Sequence, residues 1–250
     1  MPDLTVVIPA RNEADNIGPL IDGIAAACAP LCRYEIIVVD DAATDGMATV
    51  VRDRMAAHPD LTLLSHASCL GQSAAIRTGV RAARAAVIVT LDGDGQNPPE
   101  DIPKLVRPLL NGGTGLVAGQ RVTRRDTWSR RAASRIANAI RSACLGDGTA
   151  DTGCGLKAFR RDEFLLLPYF DHMHRFLPAL FAREGLPVVL VDVGHRARGG
   201  GRSHYSNFGR ALEGVVDLVG VMWLIRRAPK RGAAAPVTAE RAPETDAVEA

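Results

Sequence analysis

Short β-branched runs and longer alanine-rich stretches alternate along the first half of the chain. The apolar runs are Leu4–Ile8, Glu35–Val39, Leu61–Leu64, Ala86–Leu91 and Gly115–Ala118. Between them lie Ala14–Cys28, Thr44–Ala57, Gly71–Arg84 and Glu100–Leu110, each long enough for about three helical turns. Val/Ile runs with little polar interruption fit strands covered on both faces, and their alternation with helices predicts right-handed βαβ crossovers in a parallel sheet. Ligands of such sheets bind beyond the carboxyl ends of the strands. Three of those ends run into polar sequence: "PARNEADN" after the first, "DDAATDG" after the second and "DGDGQNPP" after the fourth. All three are expected to open on one edge.

Beyond residue 120 the pattern changes. Residues 121–146, "RVTRRDTWSRRAASRIANAIRSACLG", predict an arginine-rich helical segment. Residues 151–195 return to mixed structure with a strand at Pro187–Gly194, and 207–226 predict a helix rich in Val, Leu and Ile with Met222 and Trp223. The last residues, 228–250, are rich in Ala, Pro and Glu without periodicity and are expected to be disordered. The organisation expected is therefore one domain over 1–227 followed by a tail.

At 250 residues and 47% hydrophobic, the chain can bury a substantial core. A net charge of +2 is too small to argue for nucleic acid or membrane by itself. The arginines lack interleaved aromatics apart from Trp128, which argues against a nucleic-acid partner. Five cysteines, odd in number and without a CxxC pair, read as reduced thiols of a cytosolic protein. The first residues lead straight into a strand-like run, so no leader peptide is expected. No apolar stretch reaches the roughly 20 residues that cross a bilayer.

A parallel sheet near the N-terminus invites a dinucleotide-binding reading, which needs G-x-G-x-x-G after the first strand so that the backbone can approach a pyrophosphate. "PARNEADN" holds no glycine and the Walker lysine pattern is absent, so neither nucleotide fold matches. The sharper chemistry lies in "TLDGDGQNPPE", residues 90–100. Asp92 and Asp94, two apart in extended chain, point to the same side. Gly93 and Gly95 remove side-chain bulk, and Gln96 adds a carbonyl oxygen. Hard oxygen donors of this kind suit Mg²⁺ or Mn²⁺, which take one or two carboxylates and complete their shell with water and substrate phosphate. A lone Asp-x-Asp is more often a solvated turn. The neighbouring loop shifts that balance, because Asp40 and Asp41 at a second strand end can accept hydrogen bonds from ribose hydroxyls or a base N–H. Thr44 and Asp45 also fit helix capping.

In the basic segment, Arg131 and Arg135 are i,i+4 neighbours on one helical face, so both can reach one phosphate. The bland reading is a solvated basic face. His172 and His174 in "HMHRF" are a weak metal pair, lacking a third ligand in spacing. Arg198, Arg202, Ser203 and His204 sit in a glycine-hinged loop, "RARGGGRSHYS", whose side chains suit phosphate; an ordinary surface loop is nearly as good a reading. The helix at 207–227 fits a core helix, a surface-lying amphipathic helix or a docking face for a membrane subunit. Glu213 and Asp217, four residues apart, are expected to leave one face polar, and Met222, Trp223, Leu224 and Ile225, followed by Arg226 and Arg227, to form an apolar end suited to a headgroup boundary.

Taken together, "VVIPARNEADNI", "IIVVDDAATDG", "LGQSAAIRTGVRAA", "VTLDGDGQNPPEDIPKLV" and "VAGQR" resemble, in order and spacing, the GT-A domain of glycosyltransferase family 2, most nearly its polyprenyl-phosphate (dolichol-phosphate) mannosyltransferase branch. The likeness continues through "DTGCGLKAFRRDEF" and "HRARGGGRSHY" and covers roughly residues 4–225. The resemblance implies an α/β GT-A fold, a mainly parallel central sheet flanked by helices. It implies that Pro9, Ala10, Arg11 and Glu13 line a nucleotide pocket, with Asp40 and Asp41 on base or ribose and Gln72 close by. Asp92, Asp94 and Gln96 would hold the metal against the diphosphate, Arg121 and the helix after it would meet the acceptor phosphate, and the loop of Arg198, Arg202 and Ser203 would close over the donor. The chain departs from the family pattern at Ala42 and Ala43, in "DGDGQ", and in "CGLKAF", where Lys157 replaces an arginine and weakens bidentate phosphate binding there.

The activity so implied is metal-dependent, inverting transfer of a hexose, mannose from GDP-mannose first, to a polyprenyl phosphate at the cytoplasmic membrane face. An anionic acceptor needs no strong general base, which fits the lack of an extra Glu-Asp pair before residue 150. Each basic side chain near an anionic surface adds roughly 1 kcal/mol of attraction. Membrane access is expected through the protein surface or a separate membrane subunit. The alternatives are a family 2 transferase using a UDP-sugar or a saccharide acceptor, and an inactive GT-A module that binds a partner.

Overall fold

The computed structural model describes residues 1–121, 141–149, 151–196 and 207–228. In chain order the elements are β1 (Leu4–Ala10), α1 (Ala14–Cys28), β2 (Tyr34–Asp40), α2 (Met47–Met55), β3 (Leu61–Ser65), α3 (Gln72–Ala82), β4 (Val87–Thr90), a 3₁₀ turn (Pro99–Asp101), α4 (Ile102–Leu110) and β5 (Leu116–Arg121). There follow β6 (Lys157–Arg160), α5 (Arg161–Leu166), a 3₁₀ turn (Met173–Arg175), α6 (Leu177–Arg183), β7 (Val188–Val193) and α7 (Asn207–Arg226).

The strands form one seven-stranded sheet in the order β3-β2-β1-β4-β6-β5-β7. β1, β2, β3 and β4 are mutually parallel, β5 is parallel to β7, and β6 runs antiparallel to both β4 and β5. The expected parallel runs are all strands. β6 was not foreseen: at four residues it is too short to show a period, and its neighbours β4 and β5 lie far from it in sequence.

Alternation along β1 divides the core. Leu4, Val6 and Ile8 face α1 and α4 through Ile17, Ile21, Ile24, Ile102 and Leu105, while Val7 faces α3 through Ala75, Ile76 and Val80. Each such side chain taken fully out of water contributes about 1.5–3 kcal/mol. On the second face the rings of Phe159 and Phe164 stack at 4.7 Å, with Phe181 6.0 Å from Phe159.

Boundaries shift where loops hold specific bonds. α2 starts at Met47 rather than Thr44, because Gly46 takes a left-handed turn (φ +84°) and Asp45 Oδ1 accepts the Met47 N–H at 3.1 Å. α7 differs more. Val221 is buried, Leu218, Met222 and Ile225 pack against the second core face, and the Leu224 carbonyl accepts a bond from Arg183 Nε at 3.0 Å. The exposed apolar residues are instead Val215, Val216, Val219 and Trp223. Asp217 lies on no polar outer face: it turns inward to His172 at 2.9 Å. Of the expected apolar end, Trp223 is exposed while Met222, Leu224 and Ile225 are half-buried, and the outward stripe runs from Trp223 back through Val219 to Val215 and Val216. Among the described residues no helix is long and apolar enough to cross a membrane.

Candidate active site

β1 is flanked by β2 on one side and β4 on the other, so the chain crosses over between them and leaves a crevice at their carboxyl ends. The register Ala10↔Asp40 brings the first two polar loops side by side. The third meets them through Gly93, where a β-carbon would come within 2.8 Å of Ala10 Cβ; only glycine lets this loop lie so close to the end of β1. Pro9, Ala10, Arg11, Glu13, Asp40, Asp41, Asp92, Asp94 and Gln96 therefore share one edge, as the polar strand ends predicted.

Bonds between loops fix this edge. Asn12, itself left-handed (φ +56°), accepts the Thr44 N–H at 2.8 Å, and Asp45 Oδ2 accepts the Ala14 N–H at 2.8 Å, so the capping role read for Asp45 extends to α1. Glu13 is buried and accepts a bond from Asn16 Nδ2 at 2.7 Å. Asp40 Oδ1 accepts the Ala43 N–H at 2.8 Å.

Asp41 braces the next loop with both oxygens: it accepts the N–H groups of Leu70 and Gly71, each at 2.8 Å, the Cys69 thiol at 3.2 Å, and a bond from His66 Nδ1 at 2.8 Å. Burial pulls its carboxyl upward, but these donors outweigh burial and hold it below the usual carboxylate range. His66 Nε2 in turn meets Thr78 Oγ1 at 2.9 Å, and Arg11 Nη1 donates to the Cys69 sulfur at 3.1 Å. Asp41 thus shapes a wall of the crevice.

The acid pair sits deeper. Asp92 keeps some accessible surface, yet its carboxyl is enclosed by protein. Burial, then the charge of Asp94, pushes it up to about 6, against the pull of Lys157, Arg121 and the Gln72 amide. Gln72 Nε2 donates to Asp92 Oδ1 at 2.7 Å. Asp94 Oδ1 accepts the Gln96 N–H at 3.1 Å, closing the loop on itself. From behind, Gly155 backs the carboxylate: a β-carbon there would lie 2.3 Å from Asp92 Oδ2.

Under Asp92 lies a buried cationic layer. Arg121, at the end of β5, donates to Asp151 through Nε (2.6 Å) and Nη2 (2.7 Å), a two-point pair 12% and 9% exposed. Lys157 on β6 donates to the carbonyls of Thr152 (3.4 Å) and Cys154. Burial lowers its pKa, with Cys154, Asp92 and Asp151 acting in the other direction.

The donor set fits a hard divalent cation. A buried carboxyl pushed upward by burial and by a neighbouring carboxylate, as Asp92 is by Asp94, is what such an ion relieves, and Gln96 adds a hard carbonyl oxygen. Among the described residues no three His, Cys, Asp or Glu side chains gather as a protein-only cage. His172 and His174 are committed elsewhere, to Asp217 and Ser73 respectively. The backbone after β7 is tied to this loop: Arg196 N–H donates to the Gln96 carbonyl at 2.9 Å and Gly194 N–H to Asp101 Oδ2 at 2.7 Å. The expected acceptor residues Arg131 and Arg135, Trp128, the donor-loop residues Arg198, Arg202 and Ser203 with His204, and the tail from 229 lie outside the described residues.

Asp151, Gly155 and His66 were not singled out from sequence. Asp151 and Gly155 stood in "DTGCGLKAF", and His66 follows the end of β3, a fourth strand end of the same polar kind.

Comparison with known proteins gives this geometry its class. The model of glycosyl transferase family 2 matches residues 5–165, and the chain belongs to that family. It is 33% identical over 223 residues to undecaprenyl-phosphate 4-deoxy-4-formamido-L-arabinose transferase of Aeromonas hydrophila, covering 88% of this chain and 65% of that protein. It is 34% identical over 237 residues to dodecaprenyl-phosphate galacturonate synthase of Rhizobium johnstonii, covering 92% of this chain and 69% of that one. The chain thus spans about two thirds of these relatives' length. Among solved structures, glucosyl-3-phosphoglycerate synthase from Mycobacterium tuberculosis, in complex with Mn²⁺, UDP and glucosyl-3-phosphoglycerate, superposes with a TM-score of 0.66 at 21% identity, covering 92% of this chain and 82% of that chain. The fold is GT-A.

Proposed function

We propose that this chain transfers a sugar from a nucleoside diphosphate donor to a polyprenyl phosphate, with inversion and with the help of a divalent cation. The observation that carries the proposal is the Asp92–Asp94 pair at the carboxyl end of β4, in the crevice beside β1 and held by Gln72. Asp92, Asp94 and Gln96 would hold Mg²⁺ or Mn²⁺, which when bound supplies positive charge opposite the departing diphosphate. Both relatives are named for polyprenyl-phosphate acceptors, and the solved neighbour was captured with Mn²⁺ and UDP.

In this reading Pro9, Ala10, Arg11, Glu13 and Asp40 line the nucleotide pocket, and Asp41 holds the wall that carries Gln72. An acceptor phosphate oxygen attacks the anomeric carbon as the bond to the diphosphate oxygen breaks, and the nucleoside diphosphate leaves with that electron pair. The acceptor is already anionic, so the chain supplies charge and orientation rather than a base. Arg121, fixed by Asp151, keeps positive charge below the site; Arg131 and Arg135 would meet the lipid phosphate, and Arg198, Arg202 and Ser203 the donor. The outward apolar stripe of α7 would rest on the membrane surface.

For the donor, mannose from GDP-mannose competes with the formamido-arabinose and galacturonate named in the relatives. A panel of UDP- and GDP-sugars, offered with polyprenyl phosphate and Mn²⁺ and read as lipid-linked sugar, tests the proposal and picks the donor. Transfer to a free saccharide in place of the lipid would favour the saccharide acceptor, and no product with any donor would favour an inactive binding module.

A further inference from the structure

Among the described residues His172 is one of three non-glycine residues with a left-handed backbone (φ +60°), a conformation that a β-carbon disfavours. Such outliers persist only where their surroundings hold them. Two contacts hold it here: Asp171 Oδ1 accepts the His172 N–H at 2.7 Å from within the turn, and from α7 Asp217 Oδ2 lies 2.9 Å from His172 Nδ1, the latter pair being 20% and 26% exposed. The His172 carbonyl accepts the Arg175 N–H at 3.0 Å, closing a 3₁₀ turn. Within that turn His174 grips α3 by two bonds: its N–H donates to Ser73 Oγ at 3.2 Å, and the Ser73 hydroxyl lies 2.8 Å from its ring Nδ1. Ser73 is buried in the first turn of α3, next to Gln72, which donates to Asp92 Oδ1 at 2.7 Å.

We infer that Asp217 and His172 are positioning residues, by which α7 fixes the 172–175 turn on α3 and thereby sets Gln72 against Asp92. Packing alone does not call for the pair. Val221, Leu218, Met222 and Ile225 already seat the helix against the core, and an aliphatic residue at 217 would serve that seam as well. A partly buried polar pair in an apolar seam specifies one arrangement rather than adding net stability. The arrangement it specifies is the height of the turn over Ser73. The consequence for metal and nucleotide rests on reading Asp92 as a metal ligand; the mechanical link does not.

The test uses the full chain and two readouts. In Asp217→Ala, which keeps helix propensity, amide exchange at His174 and Ala75 should rise about tenfold, the scale of one lost charge-assisted bond, while α1 amides stay unchanged. His172→Asn, tolerant of the left-handed backbone but too short to reach Asp217, should do the same, and Asp217→Asn, which keeps an acceptor oxygen, should largely restore the wild-type pattern. Mn²⁺ affinity, measured with UDP or GDP present, should fall in Asp217→Ala and in Gln72→Ala, with no further fall in the double variant. Unchanged exchange at His174 and Ala75, or losses of Mn²⁺ affinity that add in the double variant, would overturn the inference. If exchange responds as expected while the wild type binds no Mn²⁺ with either nucleotide, the link stands and the metal reading of Asp92 falls.

Discussion

Gly155 and Asp92 meet with no room to spare, and the consequence is testable at the level of single atoms. A methyl group at Gly155 would occupy the place of the Asp92 carboxylate, so Gly155→Ala must move either the acid or the β5–β6 connection. Turnover should fall at least about tenfold with the circular dichroism spectrum retained, since Asp92 would hold the metal in the proposed reaction and an ångström of misplacement is costly. The Arg121–Asp151 pair gives the opposite signature. Asp151→Ala leaves a guanidinium with little access to water, and the loss should be about 3–5 kcal/mol of stability in urea unfolding. The acids at 40, 41, 92 and 94 were legible because they end strands in a parallel sheet. Asp151 and Gly155 were not, because their significance lies in partners on other strands, Arg121 and Asp92, that no local pattern joins to them.

At the scale of elements, the turn at 172–175 carries a pH dependence. Burial first, then the charges of Lys157, Arg175 and His172, holds His174 well below its ordinary 6.5. The unfolded chain therefore takes up a proton as pH falls through 6.5 that the folded chain resists. Stability from this group is complete above 6.5 and declines below it. The urea midpoint should drop between about pH 7.5 and pH 5.5, and His174→Gln should flatten that drop. α7 teaches a different lesson. Its apolar content was plain in sequence, but which side faces out depends on where Val221 and Asp217 dock, and periodicity could not decide that for a helix apolar on most of its circumference. Membrane contact is therefore tested on the outward stripe. Ile225 packs inward, so Val219→Glu with Trp223→Glu is the variant that spares the core, and it should abolish weak, salt-sensitive sedimentation with anionic vesicles. Retained sedimentation would move membrane contact away from this stripe.

For the whole molecule, one crevice organises everything described. The order β3-β2-β1-β4 gathers four strand ends on one edge, and β6, reversed between β4 and β5, carries Lys157 and follows the loop of Asp151 and Gly155 beneath the same acids. Alternating apolar runs made the parallel half readable from sequence, because strands buried on both faces have little freedom in composition. The short antiparallel insertion leaves no such trace. In the proposed function Asp92 and Asp94 bind a divalent cation together with a nucleoside diphosphate, and calorimetric titration of UDP or GDP with Mn²⁺ into the wild type and Asp94→Asn measures that binding. Metal-dependent binding by the wild type is expected, with a loss of about 100-fold or more in Asp94→Asn and an unchanged unfolding midpoint. Equal, metal-independent binding by both proteins would contradict it and reduce "DGDGQ" to a polar turn.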